Sequence, residues 1–97
     1  MNISFSKSAI EDLKSIKEYY LEQGVSQTGQ DFVVAIVEHI ETLATHPSIG
    51  RVVPEFNDDS IRELIHSPFR VVYLRESESI NIIRVWRSER LLKLPKN

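Results

Sequence analysis

The chain has no cysteine among its 97 residues, so it contains neither a disulfide framework nor a thiolate that could bind metal or act as a nucleophile. It has no apolar run approaching the 18 or so residues that cross a bilayer. Its first residues, Met-Asn-Ile-Ser-Phe-Ser, lack the basic and apolar segments of a secretory signal. These absences predict a cytoplasmic protein that is neither secreted nor membrane-spanning.

Positive charge is also in short supply. Lys and Arg number 12 against 14 Asp and Glu, which gives a formal net charge of −2. Proteins that grip naked nucleic acid usually carry a surplus of cations, because phosphate neutralisation supplies most of that affinity. The charges are unevenly distributed along the sequence, because from position 84 onward there are five cationic residues and one anionic residue, Glu89. These cations are Arg84, Arg87, Arg90, Lys93 and Lys96. The C-terminal end is therefore predicted to be locally basic on an acidic body.

Motifs for metal, phosphate or nucleophilic chemistry are missing as well. His39, His46 and His66 have no metal-ligand spacing and no clustered carboxylates beside them. The three glycines form no phosphate-binding loop, and no serine has a nucleophile-elbow context. We therefore predict no metal site, no cofactor and no catalytic triad.

The sequence predicts one domain, residues 1–97. Its last third is predicted to form a three-stranded antiparallel meander. The segments Ile61–Ile65, Phe69–Arg75 and Ile80–Trp86 are rich in β-branched and aromatic residues and are separated by short polar turns. In the middle segment, alternation places Phe69, Val71, Tyr73 and Arg75 opposite Arg70, Val72 and Leu74. In the last segment, it places Ile80, Ile82, Arg84 and Trp86 opposite Ile83 and Val85.

The first half of the chain predicts a strand followed by two amphipathic helices. Ile3 and Phe5 alternate with polar residues, and Ser6 is the preferred cap of a helix that ends near Gln23-Gly24, with Ser8 as the alternative cap. A second apolar stripe at helical spacing runs from about Ser26 to Thr45, and Pro47 ends it. We expect an α+β fold in the order β-α-α-β-β-β.

Several arginines fall on or just after neighbouring predicted strands. They are Arg62, Arg70, Arg84 and Arg87. A converging cluster of this kind can bind an anion or pair with an acidic partner segment. The alternative is that they pair with Glu63, Glu76, Glu78 and Glu89 as solvated cross-strand charges. Trp86, the one tryptophan, fits either a core position or a binding anchor.

Taken in order, these features resemble the RelE/ParE superfamily of bacterial type II toxin–antitoxin toxins. The matching pieces are Ala9…Asp12-Leu13…Ile16…Tyr20, Pro47…Gly50-Arg51…Pro54-Glu55, Arg62-Glu63-Leu64, Pro68-Phe69-Arg70-Val71-Val72-Tyr73 and Ile82-Ile83-Arg84-Val85-Trp86-Arg87. The resemblance as a whole runs from about Ile3 to about Leu92. The resemblance implies two antiparallel N-terminal helices packed on a curved, mostly antiparallel sheet of about four strands.

The resemblance also implies a toxin that a cognate antitoxin neutralises, with one of two actions. RelE-like members cleave messenger RNA on the ribosome with basic residues and a C-terminal Tyr or His, whereas ParE-like members poison DNA gyrase. Here Arg70 matches a nuclease position and Arg62 lies where a basic residue is common. No histidine follows the last strand, and Leu92-Lys93-Leu94 stands where a catalytic tyrosine is expected. The chain is also acidic rather than basic, which is unfavourable for binding ribosomal RNA.

These departures favour a ParE-like gyrase inhibitor, a growth-inhibiting protein that is not an enzyme. Its target-binding residues are predicted to be Arg84, Trp86, Arg87 and Arg90. The alternative is a ribosome-dependent mRNA endoribonuclease that uses Arg62, Arg70 and Arg87 with Glu89 as base. The antitoxin is expected to contact Val33, Val37 and Arg70, and a homodimer of the toxin is left open.

Overall fold

The computed structural model describes residues 1–88, which form two α-helices, a 3-10 turn and five strands. In chain order these are β1 (Asn2–Phe5), α1 (Lys7–Glu22), α2 (Ser26–Glu41), the 3-10 turn (Thr42–Ala44), β2 (Arg51–Val52), β3 (Ile61–His66), β4 (Phe69–Arg75) and β5 (Ser79–Arg87). The predicted order is confirmed. The structure adds one strand, the two-residue β2.

All five strands of the described region belong to one sheet, with the spatial order β1-β5-β4-β3-β2. β3, β4 and β5 form the predicted antiparallel meander, and β2 extends it at one edge. β1 occupies the other edge and runs parallel to β5, with Ile3 opposite Ile80 and Phe5 opposite Ile82. The sheet is therefore mostly antiparallel, and its first and last strands are neighbours.

Ser6 connects β1 to the start of α1. Its hydroxyl accepts a hydrogen bond from the amide of Ala9 at 3.0 Å, as a helix N-cap does, and donates one to the carbonyl of Ile83 at 2.8 Å. Its own amide donates to the carbonyl of Ile82 at 2.9 Å. The predicted Ser6 cap is confirmed, and it ties the first turn of α1 to β5.

The two helices form an antiparallel hairpin around two glycines. Gly24 follows the end of α1 with φ +79°, the left-handed conformation that glycine adopts without strain. Gly29 lies where α2 crosses α1, and a Cβ there would come within 3.0 Å of the Cβ of Tyr20. The close approach of the two helices thus depends on the absence of a side chain at Gly29 of α2.

The core lies between the helix hairpin and one face of the sheet. The helices and the 3-10 turn bury Ala9, Ile16, Ile36, Ile40 and Leu43, while the sheet buries Leu64, Phe69, Val71, Tyr73, Ile80, Ile82 and Val85. The alternation predicted for β4 is confirmed, because Phe69, Val71 and Tyr73 all belong to this core.

The alternation predicted for β5 is wrong beyond Ile82. The register with β4 shifts there, since Tyr73 lies opposite Ile82 and Val72 opposite Arg84, which leaves Ile83 as an extra residue. Such a bulge reverses the inward and outward pattern of the residues that follow. Val85 therefore joins Ile80 and Ile82 in the core, whereas strict alternation had placed it on the opposite face.

The irregular segment before β3 is held by polar contacts to the sheet. The Tyr73 hydroxyl donates to the carbonyl of Pro47 at 2.9 Å and accepts from the amide of Gly50 at 3.1 Å. Burial raises the pKa of this hydroxyl above its ordinary value, so it stays protonated and able to donate. No helix within residues 1–88 is long and apolar enough to span a membrane.

Candidate functional site

A groove with a volume of about 330 Å³ opens between α1 and β5 and is called here the α1–β5 groove. Its buried lining residues are Ile16, Phe69 and Val85, and its more exposed ones are Asp12, Ser15, Tyr19, Tyr20, Arg84, Trp86 and Arg87. An apolar base with aromatic rings and two guanidinium groups around it is a combination enriched in protein-binding surfaces.

A series of aromatic rings in edge-to-face or tilted contact forms one side of the groove. Tyr19 and Tyr20 of α1 meet edge to face with centroids 5.0 Å apart, and Tyr20 lies 5.4 Å from Phe32 of α2. Phe32 in turn lies 5.2 Å from Phe69 of β4. This continuous ladder couples both helices to the sheet and leaves Tyr19 about half exposed at the surface.

Arg84 is fixed by Asp12, one of the α1 residues of the groove. Its Nε donates to Oδ2 at 2.8 Å and its Nη2 to Oδ1 at 2.9 Å, a bidentate ion pair. The hydrogen bonds to Asp12 raise the pKa of Arg84 above its ordinary value. The same Asp12 carboxylate accepts the amide of Val85 at 2.9 Å, at a point of β5 beyond the end of its pairing with β1.

Arg87 lies at the end of β5 among the aromatic rings. Its Nη1 donates to the Tyr20 hydroxyl at 3.2 Å. Its Cζ lies 5.6 Å from the centroid of the Tyr19 ring and 5.5 Å from that of Phe69, both within cation–π range. The guanidinium is thus oriented by three rings.

Trp86 is half-buried and lies outside the core between helices and sheet. The Cζ of Arg84 lies 5.1 Å from its ring centroid, and the Cζ of Arg70, the residue opposite it on β4, lies 5.7 Å away. Trp86 is therefore not a core residue, and its role as a binding anchor stays a prediction.

The structure brings three of the four predicted target-binding residues together. Arg84, Trp86 and Arg87 all line the α1–β5 groove. Arg90 lies outside the described residues. Three other polar or aromatic residues of the groove, Asp12, Tyr19 and Tyr20, were not among the predicted site residues. Sequence spacing on α1 placed Tyr20 on the apolar stripe, but it carried no sign that β5 crosses the helix there.

The described residues of the nuclease alternative, Arg62, Arg70 and Arg87, do not form a common cluster. Arg62 donates to the carbonyls of Gly50 and Asp59, both at 2.9 Å, and so supports the loop before β3. It lies opposite Tyr73, four positions along β4 from Phe69, which is the partner of Arg87. Four strand residues span roughly 13 Å. Glu89 lies outside the described residues.

Arg70 belongs to a buried ion-pair network. Its side chain is 3% exposed, and its Nη2 lies 2.5 Å from Oε1 of Glu63, whose side chain is fully buried. The other carboxylate oxygen of Glu63 accepts from Nε of Arg51 at 2.5 Å. The cross-strand pairing expected for Glu63 is therefore present, but it is buried rather than solvated.

The residues predicted to contact an antitoxin lie in different environments. Val33 is partly buried against the core, Val37 is half-buried, and Arg70 is held by Glu63. Val34, between the two helix positions, is 56% exposed and is the valine most open to a partner.

The histidines show one arrangement that spacing did not predict. His39 of α2 and His66 of β3 meet with their Nδ1 atoms 2.9 Å apart. Within residues 1–88 no group of three or more His, Cys, Asp or Glu is arranged to hold a metal ion.

The fold is shared with solved structures from bacterial toxin–antitoxin systems. The chain matches a chain of the chromosomal ParDE toxin–antitoxin system from P. aeruginosa with a TM-score of 0.76 and 23% identity, over 90% of this chain and 95% of that one. It also matches a chain of the RelBE2 toxin–antitoxin complex from Mycobacterium tuberculosis with a TM-score of 0.63 and 18% identity, over 89% and 95%. At these identities the likeness establishes the α+β fold.

The family follows from the sequence itself. The family model described as the ParE toxin of the type II toxin–antitoxin system parDE matches residues 3–92. The chain therefore belongs to the ParE toxin family and is a toxin of a type II toxin–antitoxin system. No curated protein matches it significantly.

Proposed function

We propose that this toxin binds DNA gyrase through the α1–β5 groove, traps the enzyme with cleaved DNA and so blocks replication. Membership of the ParE family supports this target, because the gyrase-poisoning members resemble this chain in lacking the nuclease residues. One observation favours gyrase over messenger RNA as the target. Arg62 and Arg70, the arginines that a nuclease would use, already make hydrogen bonds and an ion pair that support the fold.

A ribonuclease of this shape would need cations near the scissile phosphate and a general base beside them. Arg70 is buried against Glu63, and displacing it would leave a buried carboxylate uncompensated. Arg62 holds two loop carbonyls at a distance from the groove. The pair is therefore better suited to stabilising the sheet than to binding a phosphate.

The groove, by contrast, has the chemistry of a protein-binding surface. Trp, Tyr and Arg are the residues that most often carry binding energy at interfaces. Here Tyr19, Trp86, Arg84 and Arg87 surround an apolar base, and their rings and guanidinium groups are already oriented by neighbours. Such a surface suits a protein partner that offers an apolar side chain next to an acidic one.

We also propose that a cognate antitoxin neutralises the protein in the cytoplasm, as the toxin–antitoxin context of both solved relatives suggests. The exposed Val34 and the half-buried Val33 and Val37 make the outer side of α2 a candidate contact surface. Arg70 is proposed as a contact that would require its ion pair to be shared or rearranged.

The test is a supercoiling and cleavage assay with purified gyrase, plasmid and ATP, to which the folded toxin is added in increasing amounts. We expect loss of supercoiling and accumulation of linear plasmid. A parallel assay measures cleavage of messenger RNA on ribosomes. Unaffected gyrase together with cut transcripts that depend on Arg70 would refute the proposal and establish the nuclease alternative.

A further inference from the structure

Trp86 is the anchor of the α1–β5 groove, and its indole is held by two arginines from different strands. Arg84 lies two residues before it on β5, and Arg70 lies opposite it on β4. Their Cζ atoms are 5.1 Å and 5.7 Å from the ring centroid. Cation–π contacts at these distances favour a particular orientation of the ring, more so where the cations are partly removed from water.

Each of these arginines is in turn fixed by one carboxylate from a neighbouring element. Glu63 of β3 holds Arg70, and Asp12 of α1 holds Arg84 through two hydrogen bonds. Asp12 also accepts the Val85 amide, so its own position is fixed against β5. The result is a continuous chain of contacts from β3 through β4 and β5 to α1 with Trp86 in the middle.

Burial and hydrogen bonds limit how far the side chains in this series of contacts can move, and with them the Trp86 ring. The Arg70 side chain is 3% exposed and that of Glu63 is fully buried, so separating the pair would leave a buried charge without compensation. At the other end the Asp12 side chain is 15% exposed but that of Arg84 is 39% exposed, so Arg84 is held by its two hydrogen bonds to Asp12 rather than by burial. An arginine that is held in this way cannot follow the indole to a different rotamer.

We propose that Glu63 and Asp12 are positioning residues for target binding, which act through Arg70 and Arg84 to hold the Trp86 indole in its binding orientation. This inference rests on the proposed role of the groove. A ring that is ordered before binding does not lose rotamer freedom when the partner arrives, and the cost avoided corresponds to roughly two- to tenfold in affinity.

The first experiment needs no partner. Trp86 is the only tryptophan, so fluorescence excited at wavelengths that tyrosine does not absorb reports on this ring alone. Time-resolved anisotropy should show a larger fast component, from local motion of the indole, in Glu63→Gln and in Asp12→Asn than in the wild type. Both changes remove a charge and retain the size of the side chain.

Arg51→Gln is the matched control. Arg51 pairs with the other carboxylate oxygen of Glu63, its side chain is 66% exposed, and it makes no ring contact with Trp86 within residues 1–88. It should leave the anisotropy decay unchanged. If Glu63→Gln and Asp12→Asn behave like Arg51→Gln in folded protein, the proposal is refuted. If Glu63→Gln does not fold, Asp12→Asn decides the question alone.

The second experiment separates positioning from a general effect on stability. Gyrase affinity is measured for Asp12→Asn and Glu63→Gln in the wild-type background and in a Trp86→Leu background, which has no aromatic ring for the two arginines to orient. Positioning residues should weaken binding roughly two- to tenfold in the first background and have little further effect in the second. Equal losses in both backgrounds would refute the proposal. If gyrase does not bind the wild type, the proposed function fails, and the anisotropy arm still decides the role of the two carboxylates.

Discussion

At the scale of single residues, the groove concentrates its binding chemistry in a few side chains. Arg87 is oriented by Tyr19, Tyr20 and Phe69, and Trp86 by two guanidinium groups. Residues of this type at the centre of an interface account for most of its affinity. The neighbouring positions then contribute mainly by excluding water.

Replacing Trp86 by Ala should therefore weaken gyrase binding by 2 kcal/mol or more, which is about 30-fold. Phe56→Ala is the control, because Phe56 is a surface aromatic residue, 58% exposed, that does not line the groove. The measurement is a binding titration with purified gyrase on variants whose circular dichroism matches the wild type. Similar losses for the two variants would remove Trp86 from the interface.

Gly50 supports the sheet by its lack of a side chain. A Cβ there would lie 2.6 Å from the carbonyl oxygen of Glu63 and 2.6 Å from the Tyr73 hydroxyl. Gly50→Ala should lower the free energy of unfolding by about 1–3 kcal/mol through overpacking. Gly24→Ala, where no atom lies within 4 Å but φ is +79°, should cost about 1 kcal/mol from backbone strain. Urea denaturation compares the two, and a smaller loss for Gly50→Ala would contradict the packing argument.

At the scale of elements, α2 and β3 meet through the His39–His66 pair. The Nδ1 atoms are 2.9 Å apart, so one ring must donate and the other accept, which requires at least one neutral imidazole. Burial, with the charge on His39 as a smaller cause, lowers the pKa of His66 below its ordinary value of 6.5. The folded state therefore binds fewer protons than the unfolded state in this range.

Stability should accordingly be highest above pH 6.5 and should fall as the pH drops through that value, because the unfolded state then takes up the proton more readily. His66→Gln should flatten this part of the profile, whereas His46→Gln, at an exposed histidine outside the pair, should not. Unfolding free energies measured between pH 7.5 and pH 5.5 check this, with the pH range chosen around the ordinary histidine value of about 6.5. A profile that is unchanged in His66→Gln would show that the pair has no role.

The elements themselves could be predicted because their signals are local. Apolar residues at helical spacing, Ser6 before Ala9 and Gly24 after α1 define the hairpin, and β-branched runs define β3, β4 and β5. The β2 strand is only two residues long and has no periodicity, and the bulge at Ile83 depends on how β5 pairs with β4. Three of the groove residues were found from the basic end of the chain. Asp12 was not, because it lies 72 positions from Arg84 and only the fold brings the two together. A pairing of Glu63 with an arginine was predicted, but as a solvated pair rather than the buried one with Arg70.

At the scale of the whole molecule, the proposed antitoxin is expected to stabilise the toxin. A partner that binds the folded state and not the unfolded one adds about 2.7 kcal/mol when its concentration is 100 times the Kd. Thermal unfolding of the toxin alone and with its antitoxin should therefore give a higher Tm for the complex. An antitoxin from a non-cognate system serves as the control, and equal melting temperatures for toxin and cognate complex would argue against the linkage.

The strand order has a consequence for how the protein is made. β5, the last strand within residues 1–88, lies inside the sheet between β4 and β1, so β1 has no described neighbour to pair with until β5 has been synthesised. The groove needs the same strand, because Arg84, Trp86 and Arg87 all come from it. A nascent or truncated chain that stops before residue 79 therefore has neither a complete sheet nor a groove, and the cell that synthesises this toxin meets its folded form only after translation of β5.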